Sequence, residues 1–170
     1  MPTVYIALGS NVGDRLANLQ EAIDRLKQHL KIQAVSRVYE TEPMYVVDQP
    51  PFFNAAIKAS TELPPVVLLA LLKQTEKEVG RQTRERYGPR EVDLDLIAYG
   101  GLEYAFTSGR KKILELPHPK TGERRFVLQP LFDLDPSLSL PSIGQVKDLL
   151  LNTEEQAAGI RRRDDAVLSL

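Results

Sequence analysis

The chain has 170 residues, a net charge of −1, 42% hydrophobic and 26% charged residues, which is the composition of an ordinary globular domain. The absence of cysteine excludes a disulfide framework, a thiolate zinc site and a cysteine nucleophile, and two histidines nearly exclude a multi-histidine metal site. The near-neutral charge argues against bulk affinity for nucleic acid or membranes. The longest apolar run, residues 66–72, is too short for a membrane helix, and no secretion signal is present. We therefore expect one cytoplasmic domain over residues 1–170.

The N-terminal segment predicts a strand followed by a helix. Residues 3–9 alternate Val, Ile and Leu with other strand-forming residues. From Leu16 to Leu30, apolar residues recur in steps of three and four, which is the stripe of an amphipathic helix. Asp14 or Asn11 is available to cap the start of that helix.

The next segment predicts two strands and a second helix. Residues 33–40 and 52–60 are rich in strand-forming residues, and the proline-bearing loop 42–51 separates them. Pro64 and Pro65 suit the first turn of a helix that runs to Gly80, a residue type common just after a helix.

Residues 92–100 (VDLDLIAYG) are the clearest predicted strand. The order strand, helix, strand, strand, helix, strand predicts an α+β fold of the ferredoxin-like kind, with an antiparallel or mixed sheet and both helices on one face. The remainder predicts a short strand near 113–116, a helical turn at 126–133 and a helix near 145–151. Residues 155–170 could form a loose tail.

Two carboxylates mark the start of this last predicted strand. Asp93 and Asp95 are two residues apart, so both side chains point to the same face, together with Ile97 and Tyr99. Because the strand is apolar on both faces, we expect it to be central in the sheet. Like charges about 4 Å apart repel by about 4 kcal/mol at a dielectric of 20, and a hard dication is the simplest way to offset this. A solvated strand end with two acids by chance is the alternative.

An arginine-rich segment precedes the two carboxylates, with arginines at positions 81, 84, 86 and 90. A phosphate chain bound to magnesium needs carboxylates for the metal and guanidinium groups for the oxygens. The combination therefore favours a small polyanion such as a nucleotide as ligand. A solvated basic loop is the alternative.

Other candidate residues are ambiguous on their own. Asn54 stands in an apolar strand, where its amide needs partners for either structure or recognition. Phe52 and Phe126 are more often core residues than a pair that clamps a ligand ring. His118 lies between two prolines, in a rigid turn beside basic residues.

Several short motifs nevertheless occur together in a fixed order: ALGSN (7–11), YETEP (39–43), DQPPFFNAA (48–56), Glu76 with Gly80-Arg81, GPREVDLD (88–95), PHP (117–119) and RRFVLQPL (124–131). In combination, over residues 3–141, the chain resembles the 6-hydroxymethyl-7,8-dihydropterin pyrophosphokinase family. The resemblance implies transfer of the pyrophosphoryl group of ATP to the pterin hydroxymethyl oxygen, with release of AMP and with two magnesium ions, in folate biosynthesis.

The resemblance also implies roles for individual residues. Asp93 and Asp95 match the magnesium ligands, and Asp95 or the metal is the candidate to ease loss of the hydroxyl proton. Residues that match the pterin site are Thr41, Met44, Phe52, Asn54 and Phe126. Residues that match nucleotide or catalytic-loop positions are Glu76, Arg81, Arg84, Tyr87, Arg90, Leu96, His118 and Arg124, with Arg81 and Arg90 assigned to catalysis.

The chain departs from the family pattern at a few positions. Tyr87 stands where Trp is frequent, Tyr45 where Gly is common, and Thr83 where many members have Arg. Residues 107–116 match poorly. Small-molecule substrates are the expected partners, in a monomer or weak homodimer. An RNA-binding module of the same strand and helix order lacks its Lys/Arg-Gly-Phe signature here, and a regulatory domain would bind ligand without turnover.

Overall fold

The computed structural model describes residues 1–80 and 87–170. The helices are α1 (Arg15–Leu26), α2 (Pro65–Val79), α3 (Arg125–Leu134) and α4 (Val146–Asn152), with 3-10 helices at Thr121–Glu123 and Glu154–Gly159. The strands are β1 (Thr3–Ser10), β2 (Lys31–Val35), β3 (Tyr39–Thr41), β4 (Phe52–Ser60), β5 (Asp93–Tyr99), β6 (Tyr104–Ser108), β7 (Lys111–Leu116), β8 (Ser139–Leu140), β9 (Gly144–Gln145) and β10 (Ile160–Arg162). In residues 1–80 and 87–170, no helix is both long and apolar enough to span a membrane.

The main sheet is antiparallel and has the order β10-β3-β4-β1-β5, and β2 also pairs with β4. The expected α+β class is thereby confirmed. The predicted strand 33–40 is two strands, because at Ser36 the chain turns its side chain inward: Ser36 Oγ accepts a hydrogen bond from the Ala56 N–H at 2.8 Å. β2 and β3 thus form one interrupted row beside β4.

The start of α1 and both ends of α2 follow the expected local signals, whereas α1 ends at Leu26 and does not extend to Leu30. The Asp14 side chain accepts a hydrogen bond from the Ala17 N–H and so caps α1. Gly80 ends α2 with φ 105°, a left-handed conformation that suits glycine.

Helices cover both faces of the sheet. α1 and α2 pack on one face, where Val4, Ile6 and Leu8 of β1 join a buried cluster with their apolar stripes. α3 covers the opposite face, where Ile97 and Ala56 pack against Leu128 and its neighbours. The prediction that α1 and α2 share a face is confirmed, and α3 supplies the second layer.

β5 differs from the prediction in two ways. First, it is the last strand in the observed sheet order rather than a central one. It is nevertheless apolar on both faces, as predicted, because α2 and α3 cover them. The second difference lies in its register. Its pairing with β1 shifts register beside Ile97, since Tyr5 lies opposite Ala98 whereas Ile6 lies opposite Leu96. This irregularity sends Tyr99 to the α1/α2 face, away from Ile97.

The chain after residue 154 is not a loose tail. β10 pairs with β3 in register from Ile160 opposite Thr41 to Arg162 opposite Tyr39. Ala166 and Leu168 are buried in the α1/α2 core. Charged residues occupy positions 161–165, but strand pairing uses backbone groups, and the buried Ala166 and Leu168 anchor the end of the chain.

Candidate functional site

A cavity of about 550 Å³ opens where β1, β4 and β5 meet the start of α3. The predicted residues that line it are Thr41, Met44, Phe52, Asn54, Tyr87, Arg90, Asp93, Asp95, Leu96, His118, Arg124 and Phe126. Twelve predicted positions, carried by β3, β4, β5, α3 and the loops between elements, are thus brought to one concavity. Arg81 and Arg84 lie outside the described residues.

The two carboxylates lie at the start of β5, as predicted. Asp93 pairs in register with Gly9, and Asp95 with Ala7, on the neighbouring β1. Burial, together with the negative charge of Asp93, raises the pKa of Asp95 to about 7. Lys73 and Arg124 oppose this rise through their positive charges. A bound cation next to Asp95 would therefore stabilise the charged form of its carboxylate.

This donor set fits magnesium. Carboxylate oxygens are the ligands that hard cations prefer, and magnesium is commonly bound by one or two carboxylates together with substrate phosphates. Within the described residues, no group of three or more His, Cys, Asp or Glu side chains forms a candidate metal site. Asp93 and Asp95 would hold such an ion only in part, so the phosphates and water would have to complete its coordination.

Glu76 lies beneath the carboxylates rather than in the cavity lining. It is 3% exposed, and its Oε2 accepts a hydrogen bond from the Leu94 N–H at 2.8 Å. Its Oε1 lies 3.4 Å from Lys73 Nζ. The described contacts of Glu76 fasten α2 to β5 between the two aspartates.

Cationic and imidazole groups face the carboxylates across the cavity. Arg124 is largely buried at the start of α3, and its guanidinium lies 5.7 Å from the centre of the Phe126 ring. Burial and the charge of Arg124 lower the pKa of His118 to about 4, so His118 is neutral near pH 7. The Lys120 N–H donates to His118 Nδ1 at 3.3 Å, which leaves the ring proton on Nε2. His118 can thus donate a hydrogen bond without carrying charge.

The polar edge of the cavity is set by Asn54. Its Nδ2 donates to Thr41 Oγ1 at 2.6 Å, and both side chains are buried. Phe52 on β4 and Phe126 on α3 both line the same cavity. A flat heteroaromatic ligand gains from ring contacts, with a few polar groups fixing its orientation.

A hydrogen-bond network joins the loop 42–51 to the segment just before β5. Asn11 Nδ2 donates to Gln49 Oε1 and to the Pro50 carbonyl, while Asn11 Oδ1 accepts from the Arg90 N–H at 2.7 Å. Gln49 Nε2 donates to the Tyr87 carbonyl at 2.8 Å. Two amide side chains therefore connect two cavity walls that are distant in sequence.

Tyr45 and Tyr87 are in contact, although they lie on different segments. Their rings stack with centroids 4.4 Å apart and planes inclined by 27°. Lys120 Nζ donates to Tyr87 Oη at 2.6 Å, and Arg124 Nε donates to Tyr45 Oη at 3.1 Å. The two tyrosine hydroxyls thus accept hydrogen bonds from two of the cationic side chains that line the cavity.

The sequence did not single out Gly9, Lys73, Gln49, Tyr45 or Lys120 as site residues, although all five line the cavity. Gly9 and Gln49 lie inside quoted motifs, so position within a motif was an available signal. Lys120 belongs to a basic region of the sequence, residues 110–125, which favours a polyanionic ligand, whereas no local pattern marks Lys73, because only packing brings it to the cavity.

Comparisons with known proteins show the family to which the chain belongs. Residues 5–136 match the family model described as 7,8-dihydro-6-hydroxymethylpterin-pyrophosphokinase (HPPK). The chain is 41% identical over 141 residues to the 2-amino-4-hydroxy-6-hydroxymethyldihydropteridine pyrophosphokinase of Aquifex aeolicus (strain VF5), covering 83% of this chain and 85% of that protein. It is 49% identical over 132 residues to the mitochondrial folate synthesis bifunctional protein of Pisum sativum, covering 77% of this chain and 25% of that protein.

Solved structures show the same fold. The Plasmodium falciparum HPPK-DHPS A437G structure with SDX-DHP aligns with a TM-score of 0.78 at 14% identity, over 95% of this chain and 48% of that one. The chain thus spans about half of that protein, a quarter of the pea protein and most of the Aquifex protein. The resemblance indicated by the ordered motifs is confirmed: the chain belongs to the 7,8-dihydro-6-hydroxymethylpterin-pyrophosphokinase family.

Proposed function

We propose that the protein transfers the pyrophosphoryl group of ATP to the hydroxymethyl oxygen of 6-hydroxymethyl-7,8-dihydropterin. The hydroxyl oxygen attacks the β-phosphorus, the bond from that phosphorus to the bridging α-phosphate oxygen breaks, and AMP leaves while the hydroxyl loses its proton. The observation that carries the proposal is that one cavity holds both an aspartate pair and an aromatic pocket with a buried amide. These are the two binding chemistries that a nucleotide and a pterin require.

The pterin half of the proposal rests on Asn54, Thr41 and the two phenylalanines. The Asn54 amide, held by Thr41 at 2.6 Å, would read the polar edge of the ring system. Phe52 and Phe126 would contact its faces, and Met44 would add an apolar contact from the loop 42–51. Such a pocket gains specificity because an analogue lacking the ring amide leaves Asn54 unpaired.

The nucleotide half rests on the charged wall of the cavity. Asp93 and Asp95 would hold two magnesium ions, which when bound would neutralise charge on the phosphates of ATP. Arg124 and neutral His118 would donate hydrogen bonds to phosphate oxygens. Leu96 and Tyr87 would provide apolar contact on the nucleotide side, and Glu76 would act from beneath by keeping Leu94 and hence both aspartates in place.

Catalysis would depend on alignment and charge neutralisation, since phosphoryl transfer asks little covalent chemistry of a protein. Arg90 lines the cavity and its backbone is fixed by Asn11, so its guanidinium is a candidate to hold the transferred group. Arg81 and Arg84 are proposed to join it. Asp95 is the candidate to ease removal of the hydroxyl proton.

We also propose a ferredoxin-like core, supported by the chain order β1, α1, β2/β3, β4, α2, β5 and the sheet order β3-β4-β1-β5. The protein would act as a monomer or weak homodimer in the cytoplasm, with small molecules as its partners. Light scattering after gel filtration would test the oligomeric state.

A coupled assay for AMP tests the function directly. Purified protein with ATP, magnesium and the pterin alcohol should release AMP in proportion to pyrophosphorylated pterin, and omission of the pterin should reduce AMP to background. AMP formation that does not need the pterin alcohol, or no AMP at all, would overturn the proposal. Asn54→Ala should mainly weaken pterin binding, whereas an unchanged pterin affinity in a titration would remove Asn54 from the pocket.

A further inference from the structure

The segment after α4 lies beyond residues 5–136, which match the family model, yet it contacts both walls of the cavity. Its 3-10 helix, Glu154–Gly159, lies between the start of α3 and the end of β3. These are the elements that carry Phe126 and Thr41, one on each side of the proposed pterin site.

Gln156 fastens this segment to the α3 wall. The Arg125 N–H donates to Gln156 Oε1 at 3.0 Å, and Gln156 Nε2 donates to the Glu123 carbonyl at 2.7 Å. The residue before the helix, Arg124, gives α3 no side-chain cap of its own. Since the first N–H groups of a helix need external acceptors, Gln156 supplies a cap from the far end of the chain.

Gly159 and Ile160 fasten the same segment to the β3 wall. The Glu42 N–H donates to the Gly159 carbonyl at 3.0 Å, and Ile160 pairs with Thr41 across the strands. Thr41 in turn holds the Asn54 amide. The backbone at the start of the loop 42–51 is thereby fixed by the C-terminal segment.

Ion pairs reinforce this second attachment. The Glu40 carboxylate, on β3, forms ion pairs with two arginines of the C-terminal segment. Arg161 Nη2 lies 2.7 Å from its Oε1, and Arg163 Nη1 lies 3.2 Å from its Oε2. Arg15 of α1 also contacts Glu40, at 2.9 Å, and donates to the Pro51 carbonyl. The β3 edge next to the pocket is therefore held by three arginines, two of which come from beyond residue 159.

We infer that Gln156 is a positioning residue that, with β10, sets the separation of the Thr41/Asn54 wall from the Arg124/Phe126 wall. The inference rests on the proposed function, because it assigns the pterin to the space between these walls. Gln156 is hydrogen-bonded to the first residue of α3. Three residues later, the Gly159 carbonyl accepts a hydrogen bond from Glu42, just after β3. Because this short segment contacts α3 and β3 whereas Asp93 and Asp95 lie on β5, we expect a change in it to alter the spacing of the two walls more than the position of the aspartates.

The test compares Gln156→Ala with two control variants. Titration calorimetry would measure the dissociation constant of the pterin alcohol with magnesium and a non-hydrolysable ATP analogue present. Gln156→Ala should raise this constant about fivefold to tenfold, the equivalent of about one lost hydrogen bond, while kcat at saturating pterin changes less than about twofold. Glu155→Ala, exposed on the same 3-10 helix, should leave the constant unchanged.

A second control separates positioning from stability. Leu168 is buried in the α1/α2 core, so Leu168→Ala should lower the melting temperature without changing pterin affinity. If Gln156→Ala retains a dissociation constant within about twofold of wild type, or if Leu168→Ala weakens pterin binding equally for the same loss of melting temperature, the inference is wrong.

A milder variant decides the matter if Gln156→Ala does not fold. Gln156→Glu keeps an acceptor for the Arg125 N–H but cannot donate to the Glu123 carbonyl, so it should weaken pterin binding about twofold to fivefold. Wild-type affinity in that variant would overturn the inference. Wild-type protein that binds no pterin would instead overturn the proposed function itself, which keeps the two failures distinct.

Discussion

Gly9 leaves the space that the Asn54 amide occupies: a Cβ atom at position 9 would lie 2.9 Å from Asn54 Oδ1 and 3.6 Å from Phe52 Cδ1. The two residues are paired in register on β1 and β4. Real Cβ atoms essentially never approach an oxygen this closely, whereas 3.6 Å from the ring is an ordinary contact, so a side chain at position 9 must displace the Asn54 amide. The glycine is therefore needed for close approach, next to two residues of the proposed pterin site.

Gly9→Ala should weaken pterin binding about tenfold, because the Asn54 amide must rotate away from its Thr41 partner or the strands must separate. Titration of the pterin alcohol measures the effect. Gly101→Ala is the matched control, since a Cβ at position 101 meets nothing within 4 Å. Equal pterin affinity for Gly9→Ala and wild type would show that the amide does not need this space.

Asp95→Asn should abolish turnover and also stabilise the metal-free protein. The charged carboxylate is needed for the proposed magnesium ions, so kcat should fall at least about 100-fold in the AMP assay. Asp24→Asn, exposed on α1, should retain wild-type activity. Near-normal turnover of Asp95→Asn would remove this residue from the metal site.

The stability of the same variant should depend on pH with a defined sign. Burial and Asp93 raise the pKa of Asp95 from 3.8 to about 7, so the fold favours the protonated form. The associated stability is complete below pH 3.8 and is lost as the pH rises to about 7. In EDTA, the melting temperature of Asp95→Asn should therefore exceed that of wild type by roughly 4 °C or more at pH 8 and by less at pH 5. A difference that grows toward low pH would contradict this.

Tyr45→Ala should weaken binding of a non-hydrolysable ATP analogue about threefold to tenfold. The change removes the ring that stacks on Tyr87. It also removes the hydroxyl that accepts a hydrogen bond from Arg124 Nε, so the Arg124 guanidinium loses a contact that fixes its position. Tyr45→Phe keeps the stack and should have a smaller effect. Val47→Ala, exposed in the same loop, serves as the control.

A double-mutant cycle checks whether the two tyrosines act together. Alanine substitutions at Tyr45 and Tyr87 should be coupled by about 0.5–1.5 kcal/mol in nucleotide binding, as expected for stacked aromatic rings. Strictly additive losses would mean that the contact has no energetic role in the ligand-bound state.

Tyr5→Phe should change the alkaline stability of the protein. The Tyr5 hydroxyl donates to Asp135 Oδ2 at 3.1 Å, and burial, helped by the Asp135 charge, raises the pKa of Tyr5 from 10.0 to about 12. The fold favours the neutral phenol, so its stability is complete below pH 10 and is lost as the pH rises toward 12.

Tyr5→Phe removes this contribution, so its free energy of unfolding should lie about 1 kcal/mol below wild type at pH 7 and approach the wild-type value by pH 11.5. Denaturant titrations at both pH values measure it. A constant difference between the two proteins would show that ionisation of Tyr5 is not linked to unfolding.

Local patterns in the sequence were sufficient for most of the core elements. The alternation in β1, the apolar stripe of α1 and the glycine after α2 each report a local face or cap, and the structure confirms all three. The spacing of Asp93 and Asp95 likewise puts both carboxylates in one cavity. Such features depend on neighbours within a few residues, which the sequence displays directly.

Contacts between distant segments could not be predicted in this way. The register shift beside Ile97 moves Tyr99 to the other face, and the edge position of β5 is hidden because helices bury both of its faces. The pairing of β10 with β3 uses backbone hydrogen bonds, which any residue other than proline can make whatever its side chain. No periodicity in residues 155–170 indicates that pairing.

The sequence by itself determined the α+β class and the family, and it predicted the residues that we propose for the chemistry, because ordered motifs and local periodicity encode them. Only the tertiary structure decided that Gly9 makes room for Asn54, that Tyr45 stacks on Tyr87, and that Gln156 caps α3 from the end of the chain. Each of these contacts joins residues at least 31 positions apart, and such contacts are fixed by packing geometry rather than by any local pattern.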